Sequence, residues 1–126
     1  MSKTDQKVIY PEGTPDYYRE WGFSPAVECQ GFIFVSGCTG KFDDGTVPED
    51  IEDQTRQAFK RINAALEEVG IGYSNIVEMT TYHVGLSSHL EKFIAVKSEF
   101  ISEPHPAWTA IGVTELASEG ALVEIR

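Results

Sequence analysis

Positive charge is scarce in this sequence: ten Lys+Arg stand against 20 Asp+Glu over 126 residues, for a formal net charge of −10. Nonspecific attraction to a phosphate backbone needs a basic footprint, so nucleic acid is argued against as a partner. Long apolar runs are missing too. The stretch from Gln30 to Gly40 is uncharged but far shorter than the ~20 apolar residues of a membrane span, so no membrane partner is expected. No basic region followed by an apolar one opens the chain, and the sequence reads as cytoplasmic. There are only two cysteines, Cys29 and Cys38, spaced neither as a redox pair nor as half a zinc site; they read as reduced, buried small hydrophobes. His83, His89 and His105 lack metal-ligand spacing, so neither a metal nor a cofactor is implied. Phosphate-loop, dinucleotide-loop and nucleophile-elbow motifs are absent as well.

What is present describes a globular chain, 41% hydrophobic and 24% charged, whose length suits one domain over residues 1–126. Residues 1–22, rich in Pro, Gly and aromatics, read as an N-terminal loop and first-strand region. Gly31–Ser36 is a short β-branched and aromatic run closed by Gly37, and Asp43-Asp44-Gly45 is a turn. From Ile51 to Val69, the residues Ile51, Ala58, Phe59, Ile62, Ala65, Leu66 and Val69 fall into one helical stripe; Asp50 is placed to cap it and Gly70 to stop it. Ile76–Val84 is the next strand. A second helix follows, with a capping box at Ser88 and Glu91 and a stripe of Leu90, Phe93, Ile94, Phe100 and Ile101, ended by Pro104 and Pro106. Ala107–Val113 and Ala121–Arg126 complete an α+β chain whose two helices cover one face of a sheet.

Three places could carry chemistry. Lys97 falls within the second helix's apolar stripe, four residues from both Phe93 and Ile101; it either snorkels to solvent or lines a pocket as a cation. Strand alternation puts Trp108, Ala110 and Gly112 on one face, a large ring beside two small residues, which either packs or leaves a ligand slot. Glu124 shares a face with Leu122 and Arg126, opposite Val123 and Ile125. A strand acid on the face away from the core either is solvated or, if apolar residues on both sheet faces are buried against another subunit, takes an interface position.

An ordered set of motifs resembles the YjgF/RidA (reactive intermediate deaminase, "endoribonuclease L-PSP") family. The segments are Phe23-Ser24-Pro25-Ala26-Val27, Phe34-Val35-Ser36-Gly37, Gln54-Thr55-Arg56-Gln57-Ala58-Phe59, Ile76-Val77-Glu78-Met79-Thr80-Thr81, Pro106-Ala107 and Val123-Glu124-Ile125. The resemblance implies a chorismate-mutase-like mixed sheet with two helices on one face, a homotrimer, and ligand clefts between subunits. It also implies hydrolysis of small enamines and imines to the 2-oxo acid and ammonia. In the family an arginine after Pro-Ala clamps the substrate carboxylate and a late-strand glutamate positions water. Here Gly37 and Glu124 match. Trp108 stands in place of the arginine, Phe23 in place of a tyrosine, Cys38 in place of a glutamine and Lys97 in place of an asparagine. The run from Pro106 to Thr114 is similar to a divergent branch of the family that lacks the arginine.

The expected pocket is therefore Phe23, Gly37, Cys38, Lys97, Trp108 and Glu124. Glu124 would be the catalytic residue, Lys97 would hold a carboxylate as a point charge, and Trp108 would stack on the ligand. The implied ligand is a small 2-imino or 2-oxo acid, handled with altered specificity. The alternatives are a non-catalytic metabolite-binding or protein-interaction trimer and, less favoured, an endoribonuclease or translation inhibitor.

Overall fold

The computed structural model describes residues 5–126; the first four residues of the expected N-terminal loop lie outside them. The strands are β1 (Lys7–Ile9), β2 (Ala26–Cys29), β3 (Phe32–Val35), β4 (Cys38–Thr39), β5 (Glu78–His83), β6 (Ala107–Gly112) and β7 (Val123–Ile125). The helices are α1 (Tyr17–Trp21), α2 (Ile51–Glu68) and α3 (Leu86–Phe100). β1, β2 and β3 form one antiparallel sheet, and the second has the order β4-β7-β5-β6. β5 and β6 run parallel, which requires a crossover, and α3 supplies it. The α+β class and the pair of long helices on one sheet face are as the sequence suggests. The five-residue α1, inside the segment read as loop, is an addition.

The sequence explains α2 in detail. Asp50 stays extended and its Oδ1 accepts the Asp53 N–H at 2.7 Å, satisfying one orphan donor of the first turn. At the other end Gly70 takes φ +78°, and the Gly70 and Ile71 N–H groups return to the carbonyls of Glu67 and Leu66. That pair of bonds is a Schellman stop, for which glycine is suited because it lacks a Cβ. Ile51, Ala58, Phe59, Ile62, Ala65 and Leu66 are buried, as the stripe predicts.

In α3 the outcome differs. Gly85, at φ +76°, occupies the N-cap, and Ser88 lies inside the helix with its Oγ donating to the Gly85 carbonyl, so the Ser88–Glu91 capping box does not form. The buried face runs through His89, Phe93 and Val96, with Phe100 and Lys97 half-buried beside it, while Ile94 is exposed. Phe59 of α2 and Phe100 of α3 stack with centroids 5.0 Å apart, locking the helices together over the sheet.

The pleat divides the second sheet cleanly. Met79, Thr81 and His83 of β5, with Val123 and Ile125 of β7, point into the helix layer and are buried. Tyr82 and Glu124, cross-strand partners, point the other way. In the first sheet the β2–β3 hairpin turns through Gln30 (φ 55°) and Gly31 (φ +81°), both left-handed, as a two-residue turn demands. Ile9, Ala26 and Val35 pack on α2, leaving Val8, Phe32 and Phe34 exposed on the far side.

Candidate functional site

The six residues singled out by sequence fall into two groups on opposite faces of the β4-β7-β5-β6 sheet. On the helix side, Trp108 lies in β6 opposite Met79, and Lys97 brings its Nζ to 4.8 Å from the Trp108 ring centroid. Lys97 thus runs its stem along the buried face of α3 and ends on an aromatic surface, as an amphipathic side chain does.

Trp108 is itself held by a buried polar chain that has no local signature in the sequence. Its Nε1–H donates to Thr81 Oγ1 at 2.9 Å, Thr81 Oγ1 lies 2.7 Å from His83 Nε2, and His83 Nδ1 lies 3.1 Å from His89 Nε2. Thr81 and His83 are fully buried and His89 nearly so. Burial, reinforced by the adjacent His89, lowers the His83 pKa from 6.5 to about 4, so the pair is neutral at physiological pH.

On the opposite face stand Glu124, Gly37 and the N-terminal aromatics. β4 pairs antiparallel with β7, setting Thr39 directly across from Glu124. A Cβ built on Gly37 would lie 2.5 Å from Glu124 Oε2, so the glycine lets the carboxylate rest directly against the backbone there, and a larger residue would displace it. Glu124 is half-buried, and its pKa is raised by burial while Arg61 pulls against that rise. Cys38 is a neighbour only through its backbone. Its side chain belongs to the hydrophobic core, and burial pushes the thiol up to about 11, so it stays protonated and unreactive. Phe23 is partly exposed and packs on Tyr18, ring centroids 4.6 Å apart, while Tyr17 and Tyr18 stack at 4.5 Å.

The residue that joins these aromatics to Glu124 is Arg61 of α2, not among the six. Its guanidinium donates from Nη2 to the hydroxyls of Tyr17 at 2.7 Å and Tyr18 at 2.8 Å. From Nη1 it donates to the Thr39 carbonyl at 2.8 Å and to Thr39 Oγ1 at 3.3 Å. Arg61 therefore reaches past the edge strand to the face that Glu124 occupies. A signal for it did exist. Arg61 follows Ala58 by three residues and precedes Ala65 by four, so it borders the buried stripe of its helix. Arg56, five residues earlier in α2, instead forms surface ion pairs with Glu99 at 3.0 Å and Asp53 at 3.2 Å.

The concave surfaces lie beside these groups. A cavity of about 730 Å³ opens between β3 and the start of β5 over Phe59, Ile62, Leu66 and Met79, and holds none of the six. A shallower depression of about 470 Å³ is lined by Tyr18, Arg19 and Phe23, among others.

A family model described as Endoribonuclease L-PSP matches residues 18–126. The chain belongs to that family, the YjgF/RidA family of the sequence motifs. Among its relatives, the RutC family protein YjgH of Escherichia coli (strain K12) is 35% identical over 114 residues, covering 90% of this chain and 87% of the relative. A 2-iminobutanoate/2-iminopropanoate deaminase of Dermatophagoides farinae is 30% identical over 106 residues, covering 82% of this chain and 81% of that protein. The solved structure of the protein YjgH superposes with a TM-score of 0.89 at 34% identity, covering 97% of this chain and 93% of that one. Rv2704 from Mycobacterium tuberculosis, a YjgF/YER057c/UK114 family member, gives a TM-score of 0.81 at 28% identity, covering 95% of this chain and 94% of that one.

Proposed function

We propose that this protein is a cytoplasmic hydrolase of small reactive enamines and imines derived from 2-amino acids, working at Glu124. The observation that carries this reading is the setting of Glu124. Its carboxyl is half-buried, lies against the Gly37 backbone, and has a pKa raised by burial, all of which suit a group that takes a proton from water and gives it back. A water oxygen adds to the C=N carbon of the imine while Glu124 accepts its proton. That proton passes to nitrogen to give a carbinolamine; the proton of its new hydroxyl then moves to nitrogen through the same carboxylate as the C–N bond breaks, and the 2-oxo acid and ammonia leave. The deaminase name carried by the Dermatophagoides farinae relative supports the reaction class.

Lys97 and Trp108 enter as the opposite wall. They face away from Glu124 within one chain, so a cleft holding all of them is built between subunits, with the Trp108 ring stacking on the ligand and the Lys97 ammonium adding positive charge. The exposed Val8, Phe32, Phe34 and Ile111 provide apolar surface for such a homotrimer. RNA cleavage, the activity in the family description, is disfavoured by the net charge of −10.

The test is a coupled assay in which 2-aminoacrylate is generated from serine. The protein is expected to hydrolyse it well above the buffer rate, with Glu124→Gln slower by about a hundredfold or more. A wild-type rate equal to buffer sinks the proposal.

A further inference from the structure

Strand alternation sets Trp108 beside two small residues, Ala110 and Gly112, and the buried polar chain uses the room they leave. In the parallel pairing of β5 with β6, Ala110 stands opposite Thr81 and Gly112 opposite His83. With no bulk at those positions, the Trp108 indole reaches diagonally across the sheet to Thr81, 2.9 Å from Nε1 to Oγ1. That bond settles the orientation of the ring. The torsion that turns an indole about its stem is broad, so packing alone leaves the plane free to rock, whereas Nε1 meets Thr81 in one orientation only. Phe93 packs beside the ring, centroids 5.9 Å apart, and Lys97 Nζ stands 4.8 Å from the Trp108 centroid.

Proton counting gives the hydrogen bonds a direction. An indole N–H only donates, so Thr81 Oγ1 accepts it and still has its own proton to place. Among the described residues the sole acceptor within reach of that hydroxyl is His83 Nε2, at 2.7 Å. His83 Nε2 must then be bare, which puts the ring's proton on Nδ1, where it donates to His89 Nε2 at 3.1 Å. His89 in turn carries its proton on Nδ1. In the reverse order the Thr81 hydroxyl proton would have no acceptor, at a residue with no exposure. This order requires both imidazoles to be neutral. Burial favours the neutral form of each, and among the described residues neither has a carboxylate within 4.0 Å. His89 also lies four residues past the Gly85 cap of α3, where the helix dipole opposes a cation. Every bond thus runs outward from Trp108 to His89, and each donor strengthens the next.

We infer that Thr81, His83 and His89 are positioning residues for Trp108, forming a one-way hydrogen-bond chain that fixes the indole plane against which the ligand stacks. This rests on the reading of Trp108 as one wall of the inter-subunit cleft, and it assigns what orients that wall. None of the three touches the ligand. Each acts through the next, so a change at His89 is felt at Trp108 three hydrogen bonds away.

NMR of the whole protein, together with calorimetric titration by 2-oxobutanoate, tests the assignment. The wild type is expected to show His83 as the Nδ1–H tautomer, and the Trp108 indole proton downfield of that of the exposed Trp21. Thr81→Val should move the Trp108 signal toward that of Trp21 and weaken 2-oxobutanoate binding by about three- to tenfold, the worth of an aromatic stack. Thr81→Ser, which keeps the hydroxyl, should restore both. His89→Leu removes the terminal acceptor and should shift the Trp108 signal, whereas His89→Gln, which still accepts, should not. An Nε2–H tautomer of His83 in the wild type, a Trp108 signal indifferent to Thr81→Val, or equal signals in the two His89 variants overturns the assignment. Should Thr81→Val fail to fold, the wild-type tautomer and the His89 variants decide it. Turnover of 2-aminoacrylate separates the two ideas. A wild type that binds 2-oxobutanoate, more weakly in Thr81→Val, but does not turn over loses only the hydrolase reading. Turnover with affinity unchanged in Thr81→Val removes only the positioning role.

Discussion

At the scale of single residues, His83 links stability to pH. Its pKa falls from 6.5 unfolded to about 4 folded, so the folded state binds fewer protons and the stabilisation is complete only above about pH 6.5. It is lost progressively as pH drops toward about 4, where His83 is protonated in the folded state as well. The full span is worth on the order of 3 kcal/mol, given 1.36 kcal/mol per unit. Urea unfolding at pH 7.5 and pH 5 is expected to show this decline, and His83→Gln, which keeps a polar neighbour for Thr81 but does not titrate, should flatten it. An undiminished slope in the variant contradicts the account. His83 and Arg61 also show where sequence reading stops. Lys97 could be singled out because its i±4 neighbours are close in the chain. Arg61 acquires its meaning from Tyr17 and Tyr18, more than 40 residues away, and His83 from Trp108 through Thr81. No local period encodes such meetings.

At the scale of elements, α2 was legible to within a residue because its cap, its stripe and its stop are all local devices. Gln54 is the exception. It sits fully buried on the core face, where a polar residue is unfavourable unless satisfied. Its Nε2 donates to the carbonyls of Pro48 at 2.7 Å and Gly120 at 3.1 Å, and its Oε1 accepts the Leu122 N–H at 2.7 Å. One side chain thus ties α2 to the loop before it and to the approach to β7. Gly40 allows this close packing, since a Cβ there would lie 2.5 Å from Gln54 Cα. Gln54→Leu keeps the volume and orphans three backbone groups. It is expected to cost about 2–3 kcal/mol in chemical denaturation, and a loss below about 0.5 kcal/mol would show that water can replace the amide. In α3 the capping box failed for a physical reason: Gly85 entered the left-handed conformation and began the helix a turn early, leaving Ser88 to bond back to the Gly85 carbonyl.

For the whole molecule, the proposed association rests on the outer sheet face. Phe32 is 64% exposed and Phe34 55%, with Val8 and Ile111 also open, a density of apolar surface unusual for a chain that stays alone in solution. If the proposed trimer forms through this face, Phe34→Glu is expected to shift the sedimenting species from trimer to monomer at micromolar concentration, while circular dichroism of the helices persists. A wild type that sediments as a monomer counts against the inter-subunit cleft. The net charge of −10 has a place at this scale too, since it keeps unrelated collisions between copies unfavourable, especially at low salt.

The strand order β4-β7-β5-β6 also has a consequence in time. β7 lies between β4 and β5, yet it is translated after both, so the ribosome has released every other strand of that sheet before the one that joins them appears. β5, α3 and β6 can associate earlier as a parallel unit, because their contacts span short loops. β4 cannot join that sheet until β7 docks, and β7 is the strand that carries Glu124. The carboxylate reaches Arg61 and Gly37 in the same event that closes the sheet. A nascent or partly unfolded chain consequently keeps Glu124 apart from Gly37 until the last strand of the sheet has docked.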